Sequence, residues 1–159
     1  MAQIANRQLS RELDGQATDI LVQIFADRVL VLVTQFGKVG SLIQASIPET
    51  TPLPPPPPAP DTTQPNRQPL PPPPAAIQLT PLLGSAPSEH MQTLFSLYAS
   101  QIATIVWVQQ STHSLTPSRR SVVVGLALRK SEETEDGGIT EREKTVFEGV
   151  MSMLYEVLN

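Results

Sequence analysis

Arg28–Ser46 reads RVLVLVTQFGKVGSLIQAS, and the fold turns on how this stretch is understood. Val29 to Val33 is an unbroken apolar run of β-branched residues and leucine, too short for a helix. Such a run suits a strand buried on both faces. Gly37 and Gly40 bracket Lys38 and Val39, so the chain can turn there with positive φ at little cost. Beyond the turn, Ser41, Ile43, Ala45 and Ile47 alternate with Leu42, Gln44 and Ser46, as in a returning strand. The expectation is a central β-hairpin.

Upstream, Ile20, Val22 and Ile24 share one face of an alternating segment that begins at Thr18, and Ala26-Asp27-Arg28 turns it into the apolar run. Leu9, Arg11 and Leu13 alternate with Ser10 and Glu12 in an edge-type strand, and Asp14-Gly15 is a turn signal. Short connections make antiparallel pairing the economical choice, since a parallel pair needs a long crossover.

Pro48–Pro74 is different material. Fourteen of the seventeen prolines lie here, including Pro54–Pro58 and Pro71–Pro74 as unbroken runs. Proline pins φ and donates no ladder hydrogen bond, so 48–75 reads as a proline-rich disordered or polyproline II insertion in a loop. It is either a cheap loop insertion or a ligand for SH3, WW or profilin-type grooves. Ile77–Thr80 resumes the alternation, and Pro81 confines it to an edge.

A helix is expected over Ser88–Gln109, with Ser85 or Ala86 at the cap, Pro87 in the first turn and Glu89 near the positive dipole end. Met91, Leu94, Phe95, Tyr98, Ile102 and Ile105 form its stripe. Trp107 falls off that stripe: either the helix ends before it, or the tryptophan is displayed to a neighbour. Ser111–Ser118 reads as a polar loop. In Arg119–Lys130, Val122, Val124, Leu126 and Leu128 make a bulky strand face, while Ser121, Val123, Gly125 and Ala127 make a small-residue face open to close approach by a helix. Ser131–Gly138 is an acidic loop, and Thr140 with Glu143 is a capping-box pattern that starts a last helix near Glu141. Its stripe, from Val146 to Leu158 with Met153 included, is wider than one face on a sheet requires. The expected fold is α+β: a single domain with a twisted antiparallel sheet of about five or six strands and two main helices, Ser88–Gln109 and Glu141–Leu158, packed on it.

Composition narrows the function. The 159 residues carry a net charge of −4, with a pI near 5.1. A non-specific nucleic-acid binder needs a basic surface instead. No cysteine is present, which rules out disulfides and thiol chemistry. No stretch approaches the ~18 apolar residues of a membrane span, and Met1–Leu13 lacks the apolar region of a signal peptide. The two histidines, His90 and His113, lack ligand spacing and read as solvent-exposed. Gly37–Gly40 is not a phosphate loop, because no GxxxxGK[ST] pattern and no helix follows. No catalytic set is visible, and no metal or cofactor is expected.

Val29–Leu42 (VLVLVTQFGKVGSL) resembles the central hairpin of the proteasome assembly chaperone 3 family, most specifically at Thr34–Lys38 with Gly40. TDILVQIFADR (Thr18–Arg28) precedes it at that family's spacing, and a helix, RRSVVVGLALRK (Arg119–Lys130) and a final helix keep its order of elements. The resemblance spans roughly 14–47 and 77–158, in a fungal-type form with the proline-rich insertion. It implies a non-enzymatic chaperone, cytoplasmic and also nuclear, that helps assemble the α-ring of the proteasome core particle. Such a chaperone pairs with a second small assembly chaperone, or with itself when alone, and holds an α-subunit. Gln35, Lys38, Trp107, Met153 and Tyr155 are the expected partner-binding residues, the first two at the hairpin tip and without folding duty. The competing expectation is a longin- or roadblock-type adaptor that recruits groove-bearing domains through its polyproline loop.

Overall fold

Asp14 and Gly15 take positive φ, 50° and 75°, and fold Ala5–Leu13 (β1) back antiparallel on Gln16–Ile24 (β2). A second tight turn, closed by the Phe25 N–H donating to the Arg28 carbonyl at 2.9 Å, leads into Arg28–Thr34 (β3). Ser41–Ser46 (β4), Gln78–Leu83 (β5), Glu89–His113 (α1), Ser121–Ala127 (β6) and Glu141–Leu158 (α2) follow. The computed structural model describes residues 5–58, 69–113, 119–130 and 138–159. Most of the acidic loop, residues 114–118 of the polar loop and the middle of the proline tract lie outside them.

The expected central hairpin is corrected. The sheet order is β1-β2-β3-β6-β4-β5, so β6 lies between β3 and β4, parallel to the first and antiparallel to the second. The sheet is therefore mixed, though mostly antiparallel. With strands about 4.8 Å apart, the chain from β3 to β4 spans roughly 10 Å across the end of β6, beyond the reach of a two-residue turn. Gln35–Gly40 makes that span. Gln35 anchors it to the intervening strand, its N–H donating to the Ala127 carbonyl at 2.8 Å. Gly40, at φ 69°, lies so close to β6 that a Cβ there would collide with the Leu126 carbonyl. Glycine is required by this approach as much as by the turn. β5 is an edge strand and carries Pro81, as its sequence suggests.

Both helices cover one face of the sheet, α2 over β1 and β2, α1 over β4, β5 and β6. The core gathers Ile20, Val22, Val29, Val31, Val33, Val122, Val124 and Leu126 beneath them. α1 outruns the expected Gln109, and from Gln101 to Val108 every residue is buried. A helix apolar all round is one enclosed all round. Ser88 is its cap, its Oγ accepting from the Met91 N–H at 3.2 Å, so Pro87 precedes the helix rather than opening its first turn. α2 begins where its capping box places it. The Thr140 Oγ1 accepts from the Glu143 N–H at 3.1 Å, and the Glu143 carboxylate accepts from the Thr140 N–H at 3.0 Å. Both ends of the proline tract are held: Leu53 and Leu70 pack on the core, and the Gln101 Nε2 donates to the carbonyl of buried Pro71 at 2.9 Å.

Candidate interaction surface

The strand register sorts the sheet into two faces. Paired residues share a face, so Leu21, Leu32, Gly125, Leu42 and Leu83 form one row across five strands. Gln23, Leu30, Val123, Gln44 and Thr80 form the next. Both rows lie opposite the helices, and none of their leucines belongs to the core. Leu21, Leu30, Leu32 and Leu42 are half-buried by one another, and Leu83 is 63% exposed.

Two expectations change here. β3 is not buried on both faces: Val29, Val31 and Val33 are, while Leu30 and Leu32 stand on the open side. The small-residue face of β6 receives neither α1 nor α2. The space over Gly125 is filled from the flanking strands, with the Cδ2 atoms of Leu32 and Leu42 leaning across it. Gln8, Gln23, Gln44 and Thr80 lie toward the margins. An apolar centre with a polar rim is the anatomy of a protein interface. Six strands at about 4.8 Å, with six residues at about 3.3 Å each, make a plate of roughly 25 by 20 Å. With side-chain relief added, that is the scale of one side of a standard interface, about 800 Å².

At one end of the sheet, the β3–β4 loop displays Phe36 and Val39, 54% and 47% exposed, on either side of exposed Lys38. The Thr34 Oγ1 braces the loop by accepting from the backbone N–H groups of Phe36 and Lys38, at 3.2 and 3.1 Å. Gln35 has a folding duty that sequence reasoning missed. Its Oε1 accepts from the Arg129 N–H at 2.7 Å, and its Nε2 donates to the Oγ1 of buried Thr18 at 3.2 Å. The side chain thus ties β2 to the end of β6. Gln35→Ala leaves partly buried polar groups unmatched and lowers stability by about 1–3 kcal/mol, measured by urea denaturation. An unchanged denaturation midpoint would show that the ties carry no load.

The remaining expected contact residues are placed inside the chain. Trp107 is fully buried, its Nε1 donating to the Arg120 carbonyl at 2.7 Å. The helix does continue past it, and the tryptophan faces the chain's own β6 approach instead of a neighbour. Met153 and Tyr155 are also buried, which accounts for the wide stripe of α2 without a second subunit. His90 is not a solvent-exposed side chain either: its Nε2 lies 2.7 and 3.0 Å from the two Glu143 carboxylate oxygens and joins the starts of both helices. A pairing across 53 positions has no signature in spacing. The leucines of the open face were visible in sequence, as the alternate positions of an apolar run; the face they share was not. Among the described residues no group of three or more His, Cys, Asp or Glu is placed to hold a metal. No helix among them is long and apolar enough to cross a membrane.

No family model matches the chain. Over 40 residues it is 48% identical to proteasome assembly chaperone 3 of Nematostella vectensis, a segment that makes up 25% of this chain and 30% of that protein. The chain is thus similar to a protein named for proteasome assembly, over under a third of that protein's length.

Proposed function

We propose that this chain is a proteasome assembly chaperone that acts by binding alone. It pairs with a second small chaperone through the open face of the sheet, and offers the β3–β4 loop to an α-subunit of the core-particle α-ring. The observation that carries the reading is the apolar row through Gly125, with Leu30 and Val123 beside it, on the face of the sheet away from both helices. The partial likeness to proteasome assembly chaperone 3 supplies the cellular task. A second sheet of the same kind is the fitting occupant, because two sheets packed about 10 Å apart interleave such rows. Work of this kind is done in the cytoplasm and nucleus. The contact with the α-subunit is temporary, so its affinity is moderate and a competing contact in the finished particle displaces it.

The test is purification with and without a co-expressed second chaperone, followed by light scattering and capture of individual α-subunits. A monomer at tens of micromolar in both preparations, capturing no α-subunit, would overturn the reading. Within it, Lys38 supplies charge at the loop tip. Lys38→Glu leaves the melting temperature unchanged, since the side chain is exposed, yet weakens capture by about tenfold at low salt through like-charge repulsion. The difference shrinks as salt rises, because exposed charges are screened over about 8 Å at physiological ionic strength. Equal capture by both forms at low salt would remove Lys38 from the contact.

A further inference from the structure

The two unbroken proline runs, Pro54–Pro58 and Pro71–Pro74, are held by the body in different ways. No peptide bond among the described residues is cis. Proline pins its own φ, and a proline that follows pushes ψ to extended values. Pro54–Pro58 is therefore a polyproline II helix with about three residues per turn and a length of about 15 Å. Its burial has the same period. Pro54 and Pro57 are half-buried, while Pro52, Pro55 and Pro58 make one exposed ridge. On the remaining ridge Leu53 packs on the core and fixes the start of the helix, and Pro56, one turn on, is exposed. From Pro55 onward one ridge is turned to the chain and two are turned to solvent.

The second run is taken up by the fold. Pro71 is buried, its carbonyl held by Gln101, and Pro73 lines an apolar hollow of about 300 Å³ with Leu94, Leu97 and Phe147. The run then ends in a turn, with the Ile77 N–H donating to the Pro74 carbonyl at 3.3 Å. The carbonyls of Pro54–Pro58, by contrast, accept no hydrogen bond among the described residues. A domain that reads polyproline II lays two ridges of its ligand across aromatic side chains and donates hydrogen bonds to such carbonyls. The first run offers both, already extended and anchored, so little ordering cost falls on binding.

The flanking sequence selects the kind of groove. Between Lys38 and Arg67 there is no lysine, arginine or tyrosine. An SH3 groove orients its ligand by a basic residue beside the prolines, and many WW grooves take a tyrosine there. We propose that Pro52–Pro58 is a ligand for a partner whose groove is lined by aromatic side chains and has no acidic anchor, a groove of the profilin type. Pro55, Pro56 and Pro58 enter the groove, and Pro54 and Pro57 stay against the body. The inference stands apart from the open sheet face and does not depend on the assembly role.

The test titrates isotope-labelled profilin with the full-length chain and follows it by two-dimensional NMR, since the prolines themselves carry no N–H to observe. The free peptide Glu49–Pro58 and a labelled SH3 domain serve as comparisons. Shifts gather on the aromatic groove of profilin, and the chain binds within threefold of the free peptide. The SH3 domain binds at least tenfold more weakly. Pro55→Ser combined with Pro56→Ser weakens binding at least tenfold with unchanged melting, whereas Pro72→Ser binds as the wild type does. The proposal fails if profilin does not bind at millimolar concentration, if the SH3 domain binds equally well, or if Pro72→Ser loses as much as the outward pair. It fails too if the chain binds tenfold or more weakly than the free peptide, because the body then occludes the ridges. Should the double variant not fold, Pro56→Ser alone weakens binding at least threefold, and an undiminished affinity there overturns the proposal.

Discussion

Val31→Asp abolishes folding. Val31 is fully buried at the middle of β3, with Val22 and Val124 as its register partners on either side, on the face that the helices cover. Both register partners are hydrocarbon and the position is closed to solvent, so the carboxylate gains no water there. Burying it costs several kcal/mol even when it takes up a proton, comparable with the 5–15 kcal/mol that hold a domain of this size together. Circular dichroism of the variant shows no cooperative melting, and the protein partitions into the insoluble fraction. A soluble variant with the wild-type melting curve would mean that the helix-covered face of β3 is misplaced. Leu30→Asp, one position away on the opposite face, is the matched comparison and keeps the fold.

Leu32→Glu separates binding from folding. Leu32 lies on the open face between Leu21 and Gly125, half-exposed in the single chain. A glutamate there can turn its carboxylate into water, so the monomer loses only about 1 kcal/mol of packing and strand preference. In a sheet-to-sheet complex the same carboxylate is trapped at the apolar centre. Several kcal/mol of desolvation then fall on binding alone, which is a loss of at least a hundredfold in affinity. Light scattering shows a monomer where the wild type pairs, with melting temperatures within a few degrees. Persistence of the wild-type complex would move the interface off this face.

Much of the fold was legible because its signals are local. Asp14-Gly15, the alternation from Thr18 to Ile24 and the reciprocal cap of Thr140 and Glu143 each specify geometry within a few residues of themselves. The order of strands is not local. β6 begins 87 residues after the end of β3, and nothing in VLVLVTQFGKVGSL states that a distant segment will part its two halves. The one hint was length: Gln35–Gly40, six residues, exceeds what a two-residue turn uses. Trp107 misled for a related reason. Helical periodicity measures one face, and a helix enclosed on all sides has apolar residues off the stripe. The open face was encoded as an excess of leucine at alternate positions of β3, which local pattern alone assigns to burial without saying by whom.

The placement of β6 has a consequence for synthesis. As the chain leaves the ribosome, β1, β2 and β3 can zip together at once, each pairing with its predecessor. β4 and β5 can also pair, but the two assemblies share no hydrogen bond, because only β6 touches both. Until Ser121–Ala127 emerges, each assembly presents a raw strand edge, one of them the apolar run Val29–Val33. The sheet therefore closes late, in a single step of long sequence separation, which is the slow and aggregation-exposed kind. A polypeptide that stops before β6 is two unfinished sheets rather than a smaller version of the domain, so the proofreading of nascent chains falls on the last quarter of the sequence.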